Sequence, residues 1–260
     1  MDSLFYGRLT CTAWTFLQVN LLQGLAQNYG THPWHWYLGV GALAPLFSYY
    51  PLVLTGCWTA QKSAAGRWIL ALVGACVAVL SLSPHKEYRF LLPVMPMLVL
   101  LAAFGLERLS PRRARVVLVG CVLLQVPVAL YTAQVHQSAS LATVDFLREE
   151  AAESVDFWLD CHLTPFYSHF HRPLSLHFLD CGPFTHPTEV QRFFANPSSE
   201  GRERLAKLQP EFVVLWSSLW PEVEAELGNY TEVRRFFHAH FTESPRGDAW
   251  DVSFIVLRRK

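Results

Sequence analysis

The chain has 260 residues, of which 52% are hydrophobic and only 16% charged, and its 21 basic and 21 acidic side chains give a formal net charge of zero. A soluble domain usually carries about 25% charged residues, so the composition argues against a wholly water-exposed fold. The balanced charge leaves no basic stripe to neutralise phosphates, which argues against nucleic acid as a partner.

From Met1 to Gly7 there is neither a basic n-region nor a small-residue cleavage site, so no cleavable signal peptide is expected. Next, Trp14, Leu17, Leu21, Leu22 and Leu25 recur at helical spacing, with Gln18, Asn20 and Gln23 between them. The pattern suits an amphipathic helix lying in a membrane interface; a helix packed on the protein itself is the alternative. Residues 1–35 are therefore read as an interfacial segment.

Four apolar stretches follow, Trp36 to Trp58, Trp68 to Ser83, Phe90 to Leu106 and Val116 to Ala133. At 1.5 Å rise, about 17 helical residues span roughly 26 Å, close to the core of a thin bilayer. Residues 36–133 are expected to form a four-helix transmembrane region rather than buried core helices. Pro45, Pro51, Pro93, Pro96 and Pro127 fall inside these stretches, and the pair in the third should kink its helix. Lys62 and Arg67 lie between the first two stretches, and Arg108, Arg112, Arg113 and Arg115 between the last two. This basic excess assigns the first and third connections to the cytoplasm and everything else outside the bilayer to the opposite side.

Residues 134–260 read as a small α/β domain. Phe212 to Trp216 is a buried-strand candidate, Pro221 to Leu227 a helix with proline at its start, and Phe254 to Leu257 a closing strand. Asn229-Tyr230-Thr231 is a glycosylation acceptor, whereas Asn196-Pro197-Ser198 is excluded by its proline. Cys161 and Cys181 are a disulfide candidate in an oxidising compartment. Cys57, Cys76 and Cys121 lie in or beside the apolar stretches and suit packing.

Three segments have the residue types for chemistry. His85-Lys86-Glu87-Tyr88-Arg89-Phe90 sets three full charges and a histidine against the start of the third stretch. Snorkelling would account for Lys86 or Arg89 alone, but not for Glu87 beside His85. The cluster suits a lipid phosphate held by Arg89 and Lys86, with Glu87 fixing their geometry. Tyr29 to Tyr37 places His32 and His35 among aromatic residues at the mouth of the first stretch, where the histidines could bond a sugar or phosphate. Cys161 to His171 includes His162 and His-x-His at His169 and His171, but lacks the usual tetrahedral spacing, so no metal is expected there.

These residues resemble the dolichol-phosphate-mannose-dependent mannosyltransferases of the endoplasmic reticulum. The family shows a His-Lys-Glu-x-Arg-Phe segment at a span start, which His85 to Phe90 matches fully. The Tyr-Gly-x-His-Pro-Trp-His-Trp-Tyr segment at Tyr29 to Tyr37 points to the branch acting on glycosylphosphatidylinositol (GPI) anchors rather than on N-glycans. Asp2-Ser3-Leu4-Phe5-Tyr6-Gly7 resembles the family's Asp-x-x-Phe-Tyr-Gly segment, and the Cys161 to His171 run is also similar.

The resemblance implies a multi-pass reticulum membrane protein whose residues 134–260 are lumenal. It implies transfer of the anchor's third mannose, in α1,2 linkage and with inversion, from dolichyl phosphate mannose to a GPI precursor glycolipid. His85, Lys86, Glu87 and Arg89 would hold the donor phosphate, and Asp2, His32 and His35 are substrate-binding candidates. Phosphate is a good leaving group, so the reaction needs a base for the acceptor hydroxyl and cations for the phosphate, with no metal or other cofactor required. The family's acidic residue in an earlier lumenal loop has no counterpart here, so the base is expected outside this sequence. Two alternatives are an enzyme of the same family acting on N-glycan precursors and a non-catalytic membrane isoform.

Overall fold

The computed structural model describes residues 2–25, 30–182, 187–242 and 249–260; at Leu21, 241, 242 and 249–251 the description is of the backbone alone. Tyr29, the first residue of the aromatic-histidine motif, lies outside it. The chain forms two compact units, Met1–Val128 and Ala129–Lys260.

The first unit is helical. Helices α1 (Asp2–Phe5) and α2 (Thr12–Leu17) precede a π-type turn at Gln18–Leu22. The single amphipathic helix expected here is thus short and changes its winding after Leu17, and Trp14, Phe16 and Leu22 stay exposed. The first apolar stretch is a broken helix: a 3-10 turn at Trp36–Leu38, α3 (Val40–Leu46), another 3-10 turn at Phe47–Tyr49, and α4 (Tyr50–Ala60). Pro45 and Pro51 remove amide donors on either side of the break, and Phe47 takes a left-handed φ of 37°. There Ser48 donates through Oγ to the Cys121 carbonyl at 3.0 Å, and the Cys121 thiol donates to the Ser48 carbonyl at 3.3 Å.

Helix α5 (Ala64–Ser81) is capped by Ser63, whose Oγ accepts from the Gly66 amide at 3.0 Å. The third stretch begins as a 3-10 segment, Tyr88–Val94, and becomes α6 (Met95–Leu106). The two prolines therefore change the winding of its first turns, since Pro93 and Pro96 cannot supply α-helical donors. Helix α7 (Pro111–Gln134) carries Pro127. Trp36–Ala60, Ala64–Ser81, Tyr88–Leu106 and Pro111–Glu149 are four helical runs long and apolar enough to cross a membrane.

Helices α4 and α6 pack through glycine. A Cβ on Gly56 would lie 1.6 Å from the Leu101 carbonyl oxygen, and one on Gly105 would lie 2.3 Å from that of Leu52. Small residues that let backbones touch are a usual source of helix association in lipid, where apolar surface alone gives little preference.

The second unit is an α/β domain. Its elements are α8 (Ala139–Glu149), β1 (Ser154–Trp158), α9 (Phe166–Phe170), β2 (Ser175–Phe178), α10 (Glu189–Ala195), α11 (Pro197–Leu208), β3 (Phe212–Trp216), α12 (Trp220–Val223), β4 (Tyr230–Thr242) and β5 (Ala249–Arg259). The sheet order is β2-β1-β3-β5-β4; β1 is parallel to β2 and β3, and β5 antiparallel to β3 and β4. Every residue of β3 is buried, as expected of a central strand covered on both faces. The expected strand at 212–216 matches β3, the closing strand is longer than 254–257, and the helix expected at 221–227 is the short α12 followed by turn.

Candidate functional site

The 85–90 segment runs into the 3-10 turn that opens the third candidate span. Glu87 lies extended just before that turn and is its organising acceptor. Its Oε1 accepts from His85 Nε2 at 2.8 Å and from Arg89 Nη2 at 2.7 Å, while Oε2 lies 2.5 Å from Arg89 Nε. Burial pushes the Glu87 carboxyl up, but the hydrogen bonds and charges of His85 and Arg89 outweigh that and hold it below the usual carboxylate range. The Arg89 side chain is 70% exposed, and its guanidinium lies 6.0 Å from the Phe90 ring centre. Glu87 thus holds one edge of a planar fork at the end of a candidate span while most of that side chain is exposed.

Lys86 behaves differently from Arg89. It is 3% exposed, and its ammonium donates to the carbonyl oxygens of Ser83 at 2.6 Å and His32 at 3.1 Å. Burial lowers its pKa from the ordinary lysine value.

Those bonds bring two sequence motifs together. The His32 amide donates to the Pro84 carbonyl at 3.0 Å, and His85 Nδ1 lies 3.1 Å from the Gly30 carbonyl. His32 stacks on Trp36 with centroids 4.7 Å apart, and Trp36 meets Tyr88 at 4.9 Å. His35 is exposed and sits edge-on to Trp34. Asp2 is apart from this cluster in sequence and lies in α1, where its carboxylate accepts from Thr12 Oγ1 at 3.0 Å.

In the second unit Cys161 and Cys181 are joined by a disulfide, with Cα atoms 6.0 Å apart. It ties the connection after β1 to that after β2. The donor atoms of Cys161, His162 and Cys181 lie within 4.8 Å of one another, but the disulfide uses both thiols. His169 and His171 stack at 6.5 Å between centroids. Asn229 is exposed in the turn before β4, where its carbonyl accepts from the Lys260 amide at 2.9 Å.

Sequence reasoning did not single out Asp160, Trp216 and His238. Trp216 Nε1 donates to Asp160 Oδ2 at 3.0 Å, and the indole meets the buried His238 ring edge-on at 5.3 Å. Burial pushes the Asp160 carboxyl up to about 6, against the Trp216 bond, and pulls His238 down to about 4, with His136 adding to the shift. No motif marks these residues, because strands distant in sequence bring them together.

Residues 1–171 match the Alg9-like mannosyltransferase family, and the chain belongs to that family. Among curated relatives, GPI alpha-1,2-mannosyltransferase 3 of Mus musculus is 34% identical over 270 residues, covering 95% of this chain and 48% of the relative. The Homo sapiens protein of that name is 32% identical, covering 95% and 47%, and Mannosyltransferase APTG1 of Arabidopsis thaliana is 30% identical, covering 93% and 50%. The chain spans about half the length of the curated relatives it matches. No solved structure matches it.

Proposed function

We propose that the chain contributes the donor-phosphate side of a GPI mannosyltransferase in the endoplasmic-reticulum membrane. In this reading mannose passes from dolichyl phosphate mannose to a GPI precursor glycolipid, giving an α1,2 link. The observation that carries it is an exposed arginine fork, held by Glu87 at the start of a candidate span, in a chain of this family. A lipid-linked phosphate arrives at the bilayer surface, where Arg89 sits in this reading. As the sugar bond breaks, charge accumulates on the phosphate, and a preplaced guanidinium strengthens its hold as that happens. His85, bonded to the same carboxylate, adds a second group beside it. His32 and His35 line the adjoining segment and are proposed to meet sugar hydroxyls, and Asp2 is proposed to act on the acceptor side. Protein cations answer the phosphate charge, so the scheme calls for no metal.

The test is restoration of anchor synthesis in deficient cells by the full-length protein at matched expression. Arg89→Lys keeps the charge but loses the fork, and is expected to cut transfer about a hundredfold, the effect of losing one transition-state donor worth about 3 kcal/mol. Glu87→Gln should cost less. Full restoration by Arg89→Ala would reduce the cluster to a membrane anchor.

A further inference from the structure

We propose that Lys86 is a positioning residue of this site: its buried ammonium latches segment 30–37 onto connection 83–89 and so fixes Glu87 and Arg89 at the span mouth. The inference rests on the reading of the 85–89 cluster as the donor-phosphate site and changes the part played by one of its members.

The argument is geometric. A lysine that binds an incoming phosphate keeps its ammonium open to solvent. Lys86 instead is almost wholly buried and spends donors on two backbone oxygens from different segments, Ser83 and His32. Carbonyls in irregular connections lack the partners a helix would supply, and one left bare in a buried place keeps the full penalty of its lost solvation. An ammonium with three donors can close two of them at once.

The bridge lies beside two others between the same segments, His32 amide to Pro84 carbonyl and His85 to Gly30 carbonyl. Gly30 has a φ of 92°, a left-handed conformation that glycine adopts without strain. The joined segments carry all the residues proposed to face the donor: His32 and His35 on one, His85, Glu87 and Arg89 on the other. Two cations three positions apart in one motif thus divide the work, with Lys86 turned inward as a latch and Arg89 turned outward as the phosphate contact.

The division makes different demands on the two cations. Arg89 must supply charge and a fork, whereas Lys86 needs only N–H donors, which a neutral amide also provides. In the full-length protein, Lys86→Gln is therefore expected to keep kcat/KM for dolichyl phosphate mannose within about threefold of wild type. Lys86→Met, similar in length but without donors, should lose more than thirtyfold. Equal losses in the two variants would overturn the latch.

A measurement independent of activity covers the case in which Lys86→Met does not fold. In native membranes Lys86 should resist acylation by a water-soluble amine-reactive ester under conditions that modify Lys260, and should react after denaturation. Ready native acylation of Lys86 would also overturn the proposal. An unchanged Arg89→Gln enzyme would instead remove the phosphate reading, leaving the acylation result to decide the latch.

Discussion

Among the described residues of the second unit, a buried charged or titratable side chain either has partners or has its ionisation shifted. Asp156, fully buried on β1, accepts from Trp158 Nε1 at 2.8 Å and from Arg204 through both oxygens, and Arg204 also pairs with Glu189. Removing one member strands a buried charge, which typically costs about 3–5 kcal/mol, whereas replacing the pair with apolar groups is often neutral. Arg204→Met should accordingly lower the thermal midpoint of the detergent-solubilised protein sharply, and Asp156→Leu with Arg204→Met should recover much of the loss. A double variant no better than the single would mean that packing around the guanidinium, not the stranded carboxylate, is at stake.

The other buried groups give a pH signature of known sign. His238 has neither ring nitrogen hydrogen-bonded among the described residues, and its folded pKa falls from 6.5 to about 4. The unfolded chain then binds the proton more readily, so stability present above pH 6.5 is lost as pH falls toward 4. Asp160 runs the other way: its folded pKa rises from 3.8 to about 6, so stability present below 3.8 is lost as pH rises through 6. Each contribution is on the order of 3 kcal/mol, and over pH 4 to 6 they oppose each other. Asp160→Asn should make the protein less stable in mild acid relative to neutral pH than wild type, and His238→Phe should do the reverse. Parallel pH profiles for wild type and both variants would show that neither group ionises differently on folding.

At the scale of elements, the glycine contact between α4 and α6 gives a test of the membrane region. Gly56→Val would drive a side chain into the Leu101 backbone, which has no flexible end to give way. It should reduce the yield of folded protein in detergent, while the same change at Gly74, whose Cβ would meet nothing within 4 Å, should be tolerated. Equal yields would mean that α4 and α6 do not approach as closely as this. The unequal legibility of the sequence has a similar local cause. Long apolar runs announce spans, and β3 announces itself as five consecutive apolar residues, β-branched and aromatic among them, which read as a buried strand. Strand β4 was unreadable because register shifts at Glu232/Arg234 and Phe237/Ala239 interrupt its alternation. The broken first span depends on a left-handed residue at Phe47, which no propensity specifies. At the candidate site the motif gave the residues but not their division. Lys86 and Arg89 look equivalent as charges, and only the fold decides which ammonium or guanidinium finds carbonyls in the interior.

The disulfide also acts between elements. It joins the carboxyl ends of neighbouring parallel strands, its cysteines 20 positions apart in the chain. In the chain-entropy account a closure of this length is worth about 2–4 kcal/mol. Cys181→Ser should lower the thermal midpoint accordingly, and reaction of both thiols with maleimide in unreduced, denatured wild type would show that the bond does not form.

For the whole molecule the charge pattern predicts sidedness. The described residues hold four candidate crossings, an even number, so if all four are used the segments flanking them lie on the same side. The connections after the first and third runs hold Lys62 and Arg67, then Arg108, Arg112, Arg113 and Arg115, and the orientation proposed from the positive-inside rule has these in the cytoplasm. The proposed donor site and the α/β unit would then both be lumenal, where disulfides persist and the glycosylation machinery acts. Asn229 reports on this directly, since it is exposed in a turn and opens an acceptor tripeptide with Thr231, also exposed. Expression in cells should give a mass shift removed by glycosidase and abolished by Asn229→Gln, while Asn196→Gln, altering a tripeptide blocked by Pro197, should leave it unchanged. Protease added outside sealed microsomes should spare residues 134–260. Cleavage there, with no shift at Asn229, would reverse the orientation, and with it the reading that Arg89 meets its phosphate in the lumen.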